Sequence, residues 1–269
     1  MSKSIRVLAL HAHPDDEASQ TAGTMARAAA EGHRVVVVFA THGEHGEVAA
    51  DAVEGETVAD YRRREAEASA AAIGLARIVW LGYSDSGMSG WEQNNVEGSL
   101  HRADLDEAAQ RVADVLDQEQ ADFLVGYDWH GGYGHPDHVK VHHIAHRAAD
   151  LAAVRPRLLE STMNRTEIAA LLRAGREAGL DLDDFDPEAP MDDGNPLGST
   201  EDEITWRVDT TAYLPQKRAS LEAHRSQATD IEGFLTMPPE VFAALFGHEY
   251  LIEPGHGGPM REGWPYSDG

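Results

Sequence analysis

The sequence predicts an α/β fold with a mostly parallel sheet. Short runs of β-branched and other apolar residues alternate with longer, alanine-rich segments along most of the 269 residues. Residues 35–39 are apolar at every position, the pattern of a strand that is buried on both faces. Strands that alternate with helices favour parallel pairing. Because the chain shows no internal repeat, we predict one Rossmann-like, three-layer α/β/α domain over residues 1–269.

The individual elements follow from local patterns. The apolar, β-branched runs that predict strands are residues 5–10, 35–39, 78–81, 123–127, 157–163, 204–208 and 250–252. The segments rich in helix-forming residues are 19–30, 61–72, 105–118, 138–153, 167–178, 214–226 and 239–245. The first of these helices is followed by Gly32, a typical helix stop. The glycine- and proline-containing tail from Pro254 onward is predicted to be irregular.

Residues 181–203 differ from the rest of the chain. They are acidic and contain three prolines and two glycines, a composition typical of loops. A strand is predicted directly after them, at residues 204–208. We therefore interpret this segment as a long surface loop, not a linker between domains.

Composition excludes several classes of protein. The chain has no cysteine, so disulfide frameworks, zinc ribbons and thiol nucleophiles are excluded. Lys and Arg number 22 against 47 Asp and Glu, and a net charge of −25 disfavours nucleic-acid and membrane partners. No apolar run approaches the ~20 residues that span a bilayer, and the N-terminus lacks a signal pattern. We expect a cytoplasmic protein.

The first cluster of chemically active residues follows the first predicted strand, at residues 11–17. His13 and Asp16 stand three apart across Pro14, which forces a turn before the helix begins. Such a turn can aim both side chains at one ion, with Asp15 on the other side. Imidazole and carboxylate suit zinc, whose catalytic sites keep three protein ligands and one open position. The alternative is that the two acids only cap the helix, but one acid would be enough for that role.

A second cluster follows another predicted strand. The glycine-rich residues 128–134 lead into His-Pro-Asp-His at residues 135–138, where a helix opens. Both clusters should lie at the carboxyl edge of the sheet, where open α/β sheets bind ligands, so a third zinc ligand would come from here. A helical alternative stays open, because His138, His142 and His146 are spaced at i, i+4 and i+8. The latter two histidines would then be either metal ligands or polar surface.

Together, HPDDE at residues 13–17 and HPDH at residues 135–138 resemble the LmbE/PIG-L family of zinc-dependent N-deacetylases. The members that this sequence resembles most are a deacetylase and an S-conjugate amidase of mycothiol metabolism. The resemblance extends nearly from end to end. Its further segments are THGEHGE at 41–47, YR at 61–62, DSGM at 85–88 and LEAHRSQ at 221–227.

The resemblance implies a metal centre and a base. His13, Asp16 and His138 would hold one zinc ion per chain, or Fe²⁺ or another divalent ion in its place. Asp15 would be the general base that takes a proton from the attacking water.

The resemblance also implies roles around that centre. His135 would stabilise the oxyanion or protonate the leaving amine, and Asp137 would orient and polarise the His135 ring. Tyr133 matches a mobile tyrosine in the loop before the second motif. The positions that match the family's sugar pocket are Glu47, Arg62, Asp85 and Met88.

These residues meet the demands of amide hydrolysis, which needs an activated water, a base and a donor for the oxyanion. The sequence therefore predicts a zinc-dependent hydrolase that removes an N-acetyl or related acyl group from a small molecule containing an amino sugar. One alternative is an amidase for a larger acyl group of a thiol conjugate or natural product, although S-conjugate amidases carry a lysine where this chain has Ala-Ser-Gln at 18–20. Another is an inactive metal-binding homologue. A homo-oligomer is compatible with each.

Overall fold

A computed structural model describes residues 4–47, 55–179, 185–191 and 193–267. These residues form the strands β1 Arg6–His11, β2 Arg34–Thr41, β3 Arg77–Tyr83, β4 Phe123–Tyr127, β5 Arg157–Thr162, β6 Trp206–Asp209, β7 His248–Ile252 and β8 Arg261–Glu262. The helices are α1 Ala22–Ala30, α2 Val58–Ile73, α3 Leu105–Glu119, α4 Pro136–Leu151, α5 Arg165–Glu177, α6 Leu214–Ala223, α7 Ala228–Leu235 and α8 Pro239–Phe246. A π-helical turn, Glu17–Thr21, precedes α1.

All eight strands join one sheet, in the order β3-β2-β1-β4-β5-β7-β6-β8. The first five are parallel, and β7 is antiparallel to both of its neighbours. The chain runs outward from β1 through β2 to β3 and then returns to β4 on the other side of β1. Such a reversal opens a crevice between the carboxyl ends of the two central strands, and ligands of open α/β sheets bind there.

Helices cover both faces of the sheet, as predicted. On β1, Leu8 and Leu10 pack with residues of α3 and α4, whereas Val7 and Ala9 pack with residues of α1. All four side chains are buried. Burial on both faces explains the uninterrupted apolar runs that the sequence shows in its parallel strands. None of the described helices is both long and apolar enough to cross a membrane.

The structure differs from the sequence-based prediction in three places. The helix predicted over 214–226 ends at Ala223, because the Ser226 amide donates to the Glu65 carboxylate instead of continuing the helix. A helix that was not predicted, α7, follows it. In the tail that we expected to be irregular, β8 pairs with β6.

The described part of the acidic loop packs against the domain. Residues 181–184 and 192 lie outside the described residues. Leu197 and Ser199 are buried, and the Arg165 guanidinium donates to the carbonyls of Leu197 and Gly198. The Gly198 amide donates to the Gly132 carbonyl over 2.6 Å, so the loop touches the glycine-rich segment after β4.

A buried ion pair fixes the first helix to the sheet. Glu249 of β7 accepts hydrogen bonds from the amides of Gly23 and Thr24 in α1. Lys217 of α6 lies 2.7 Å from the same carboxylate, and both side chains are nearly inaccessible to solvent. Charges this deep are stable only with partners, because burial removes their hydration.

We predict that Lys217→Ala lowers the free energy of unfolding by about 3–5 kcal/mol, because it leaves the buried Glu249 charge without its counter-ion. Urea titration followed by circular dichroism measures the loss. The matched control is Arg34→Ala, which removes a partly exposed ion pair with Glu119 and should cost below about 1 kcal/mol. Equal costs for the two variants would contradict this interpretation.

Candidate active site

The segments that follow β1 and β4 meet in the crevice between these strands. One donor atom from each of His13, His135 and His138 lies within 4.8 Å of the others, and all three residues are buried. The His13 and His135 rings are 4.8 Å apart between centroids, and those of His135 and His138 are 5.1 Å apart. The carboxyl edge of the parallel sheet thus brings together the two motifs that the sequence separates.

His138 presents one ring nitrogen for a ligand. Its Nδ1 lies 3.1 Å from the Gly131 carbonyl, which fixes a hydrogen on that atom. Nε2 is buried and makes no hydrogen bond of normal geometry within the described residues. Gly131 has φ +67°, and a Cβ there would lie 2.2 Å from the His138 Cβ, so this close approach needs glycine. An imidazole held by a carbonyl on one nitrogen and open on the other is typical of a metal ligand.

The Asp16 carboxylate lies between the rings of His138 and His13. Its Oδ1 is 3.2 Å from Nε2 of His138, and its Oδ2 is 3.5 Å from Nδ1 of His13. Burial alone would raise the pKa of Asp16, but His138 and His13 hold it well below its usual range. Two imidazoles and an ionised carboxylate form a donor set that suits zinc and similar divalent ions. The residues therefore fit the implied metal.

The far side of the His13 ring faces two more acids. Its Nε2 lies 3.2 Å from Asp137 Oδ2 and 3.5 Å from Asp85 Oδ1. Burial alone would lower the pKa of His13, but Asp85, Asp137 and Asp16 together raise it well above the usual value. The backbone amide and the hydroxyl of Ser86 both donate to the Asp137 carboxylate. Because Ser86 holds it there, this carboxylate lies within hydrogen-bond distance of His13. Its role in orienting and polarising the His135 ring, which the resemblance implies, stays a prediction.

His135 caps α4 and has a defined tautomer. Its Nδ1 accepts a hydrogen bond from the Asp137 backbone amide over 3.1 Å, so the ring hydrogen is on Nε2. The orienting contact from Asp137 is therefore made by its backbone. Burial, together with His13 and His138, lowers the pKa of His135 to about 3. His135 is thus a neutral imidazole whose N–H can donate to a developing negative charge.

Asp15 combines an unusual backbone with a perturbed carboxyl group. Its φ of +117° is a conformation that residues other than glycine rarely adopt. Burial raises the pKa of Asp15 to about 6, although Arg62, whose Nη2 is 2.9 Å from Oδ2, opposes the rise. A carboxylate with a pKa near neutrality is suited to exchange protons with a substrate or water.

Arg62 is buried beside Asp15. It also donates to the carbonyls of Pro14 and Gly43, the latter over 2.7 Å. A Cβ at Gly43 would lie 2.0 Å from the Arg62 Nη1, and the φ of Gly43 is +62°. The glycine of the segment after β2 thus makes room for this guanidinium.

The other residues predicted for the site lie at different depths. The Tyr133 ring centroid is 4.9 Å from that of His138, and Asp85 is buried against His13. Glu47 and Met88 lie farther out, and the Glu47 backbone exchanges two hydrogen bonds of 3.2 Å with the Gln227 side chain. Of the four residues predicted to bind sugar, Asp85 thus contacts His13 and Arg62 contacts Asp15, whereas Glu47 and Met88 are exposed. Their role in binding stays a prediction.

His142 and His146 do not join the central cluster. A helix rises ~1.5 Å per residue, which carries them away from His138 along α4. Glu160 Oε1 lies 3.3 Å from His142 Nδ1 and 2.6 Å from His146 Nε2. The Tyr127 carbonyl lies 3.1 Å from the same nitrogen of His142. We interpret this cluster as an ion pair that ties α4 to β5.

Sequence reasoning did not single out four residues that support the centre. Tyr127 stacks on His138 with ring centroids 4.6 Å apart, and Ser86 holds Asp137. Glu17 accepts the Asp15 amide over 2.9 Å and lies 2.6 Å from His224. Except for Tyr127, all belong to segments with recognisable motifs, so the motifs could have indicated them, but only the folded structure shows what each one touches.

The chain is similar to several known proteins. The family model described as PIG-L: GlcNAc-PI de-N-acetylase matches residues 8–149. A relative from Thermobispora bispora, named 1D-myo-inositol 2-acetamido-2-deoxy-alpha-D-glucopyranoside deacetylase, is 36% identical to this chain. The alignment covers 98% of this chain and 93% of the relative.

Two solved structures share the fold. One is N,N'-diacetylchitobiose deacetylase from Pyrococcus horikoshii, with a TM-score of 0.58, 22% identity and coverage of 93% of this chain and 83% of that one. The other is the 4-carboxy-2-hydroxymuconate hydratase from Pseudomonas putida KT2440, with a TM-score of 0.56, 18% identity and coverage of 96% and 99%. The same fold thus occurs in proteins named for different reactions, so the activity must be argued from the site.

We predict that Glu160→Gln destabilises the protein more at pH 6 than at pH 9. Burial alone would lower the pKa of His142, but Glu160 raises it. The stabilisation that results is fully present below pH 6.5, the usual pKa of histidine, and is lost as the pH rises through the raised pKa of His142. Burial alone would raise the pKa of Glu160, but the two histidines lower it. The stabilisation that results is fully present above pH 4.5, the usual pKa of glutamate, and is lost as the pH falls through the lowered pKa. The pair therefore stabilises most between these values.

Thermal unfolding of both proteins at the two pH values measures the difference. Glu107→Gln, which breaks an exposed pair with Arg111, is the control and should change the melting temperature equally at both. An equal loss at pH 6 and pH 9 for Glu160→Gln would contradict the ion-pair interpretation.

Proposed function

This chain belongs to the GlcNAc-PI de-N-acetylase (PIG-L) family, and on that premise we propose that it is a metal-dependent amide hydrolase. The bond that it cleaves would join an acetyl or related acyl group to the nitrogen of an amino sugar in a small molecule. The observation that carries the proposal is the buried Nε2 of His138, which faces Asp16 without a hydrogen bond. Asp16 directly follows the strained Asp15 in the chain.

In this proposal His13, Asp16 and His138 hold one divalent ion, either zinc or an ion of similar preference such as Fe²⁺. When bound, the ion supplies Lewis acidity that polarises the amide carbonyl and acidifies a water molecule. A compact donor set in which His135 takes the place of Asp16 is less suitable. His135 Nε2 carries a hydrogen, because its Nδ1 already accepts the Asp137 amide.

Asp15 and His135 divide the proton chemistry. Asp15 accepts a proton from the water as its oxygen bonds to the carbonyl carbon, a step that general-base catalysis accelerates ~10²–10⁴-fold. The N–H of His135 donates to the carbonyl oxygen as it becomes negative, which is worth roughly 3–4 kcal/mol in comparable oxyanion sites. The protonated Asp15 then returns the proton to the amine as the carbon–nitrogen bond breaks. Both groups are present and poised, which argues against an inactive homologue.

The substrate class rests on the relatives and on charge. The Thermobispora bispora relative is named for an acetamido sugar linked to inositol, and we propose a substrate of this kind. A chain with a net charge of −25 favours a neutral sugar over a polyphosphate. Arg62 and Asp85, near the centre, and Glu47 and Met88, farther out, are proposed to contact it.

We predict that His138→Ala removes one metal ion per chain. The substitution deletes a ligand from a site that has only three. Metal analysis of purified proteins by plasma mass spectrometry measures the loss, and His143→Ala on the exposed side of α4 is the control that should keep the ion. Full occupancy in His138→Ala would show that the ligand set is wrong.

We also predict that the protein releases free amine from an N-acetylglucosaminyl inositol, and that Asp15→Asn lowers kcat by ~10²–10⁴-fold with little change in KM. Asparagine is nearly isosteric but cannot accept the proton. Amine release is followed with a fluorogenic amine reagent, and metal analysis checks that the variant stays loaded. Turnover near that of the parent in a metal-loaded Asp15→Asn protein would remove Asp15 from the base role. A parent protein that cleaves only larger acyl groups would favour the amidase alternative.

A further inference from the structure

The backbone of Asp15 is held in a conformation that costs energy. A non-glycine residue in a sparsely populated region of backbone space is disfavoured and persists only where its surroundings enforce it. The φ of Asp15 is +117°. Its amide donates to Glu17 Oε2 over 2.9 Å, and its carbonyl accepts the amides of Ala18 and Ser19 as the π-helical turn begins. Glu17 is therefore the side chain that holds the strained amide.

Glu17 is itself held from two other elements. It is 1% exposed, and a buried carboxylate is stable only where donors replace its lost hydration. Its Oε1 accepts a hydrogen bond from the Ser69 hydroxyl of α2 and lies 2.6 Å from Nε2 of His224. His224 is fully buried and stands just after the last residue of α6. The Asp15 backbone thus depends on a histidine far along the chain.

The residues around His224 repeat this arrangement. We name residues 224–227 the clamp segment. Three of its residues each form hydrogen bonds with a glutamate from a different part of the chain. Besides the His224 contact, Ser226 donates to both carboxylate oxygens of Glu65 in α2, over 2.8 and 2.6 Å. The Gln227 amide exchanges hydrogen bonds with the Glu47 backbone after β2. The clamp segment therefore fixes three segments that surround Asp15.

We propose that His224 is a positioning residue for the hydrolytic reaction: acting through Glu17, it fixes the backbone of Asp15 and so aims the general base. This inference rests on the proposed function, because it assumes that Asp15 is the base. His224 hydrogen-bonds Glu17, and within the part of the chain that the structure describes it makes no hydrogen bond to Asp15 or to the three residues proposed as metal ligands. The interruption of the predicted helix at Ala223 is then a requirement of the site, since the turn places His224, Ser226 and Gln227 on their partners.

Two substitutions of His224 separate aiming from bulk packing. His224→Ala removes the donor to Glu17 and should lower kcat roughly 10- to 100-fold, the scale expected for a misplaced catalytic group, while KM changes less than about twofold. The metal content should stay unchanged. His224→Gln keeps an N–H donor near the position of Nε2 and should restore most of kcat.

The matched control is Leu221→Ala, one turn earlier on α6. Leu221 is fully buried in an apolar cluster with residues of α7 and α8 and with Ala18 beside Glu17, so its truncation tests lost packing at the same turn without removing a hydrogen bond to Glu17. It should lower the melting temperature at least as much as His224→Ala, yet leave kcat within about twofold. Assays run at a temperature where circular dichroism shows every variant folded. Equal losses of kcat in Leu221→Ala and His224→Ala would overturn the proposal.

A double-mutant cycle with Asp15→Asn gives the decisive readout. If His224 acts only by aiming Asp15, His224→Ala should cause no further loss once Asp15 can no longer accept a proton. A full additional 10- to 100-fold loss in the double variant would overturn the positioning role while leaving Asp15 as the base. Unimpaired turnover in Asp15→Asn alone would instead contradict the proposed function, so the two failures are distinguishable.

Discussion

The parallel pairing of β1 with β4 is the constraint on which the site depends. These strands are neighbours in the sheet, although β2 and β3 intervene in the sequence. Their pairing brings His13 within 3.2 Å of Asp137, a residue 124 positions away. Because the two loops leave the same edge of the sheet, neither motif completes a site alone. The buried side chains on both faces of β1 hold this arrangement rigid, and rigidity is what a catalytic constellation requires.

Electrostatics gives the crevice its chemistry. Several acids and three histidines lie together, most of them buried, and unpaired charges are costly where water is largely excluded. Each of three aspartates has its own partner. Asp16 faces His138, Asp137 accepts hydrogen bonds from Ser86, and Asp15 forms an ion pair with Arg62. The environment also shifts the pKa values of the two adjacent aspartates in opposite directions. Burial raises the pKa of Asp15 to about 6, whereas its histidine neighbours keep Asp16 ionised.

The sequence was sufficient for the fold and for the two motifs, and insufficient for the contacts between distant residues. Period and composition locate β1 and β4, because strands buried on both faces read as continuous apolar runs. No local pattern indicates that Asp137 turns towards His13, since Ser86, which holds it there, lies on another loop. The helix break after Ala223 was missed for the same reason. Residues 214–226 have a helical composition, but the Ser226 amide donates to the Glu65 carboxylate of α2, a contact that local composition does not indicate.

We propose that Asp16, and not His135, completes the metal site with His13 and His138, which leaves His135 to act as a donor. A crystal structure of the zinc-loaded protein, with anomalous diffraction recorded on both sides of the zinc absorption edge, tests it most directly. We expect one anomalous peak, about 2.0–2.2 Å from a nitrogen of His13, a nitrogen of His138 and a carboxylate oxygen of Asp16. His135 Nε2 should face the ion's open position without binding it. A peak bonded to His135 in place of Asp16, or a peak only at Glu160, would contradict the account.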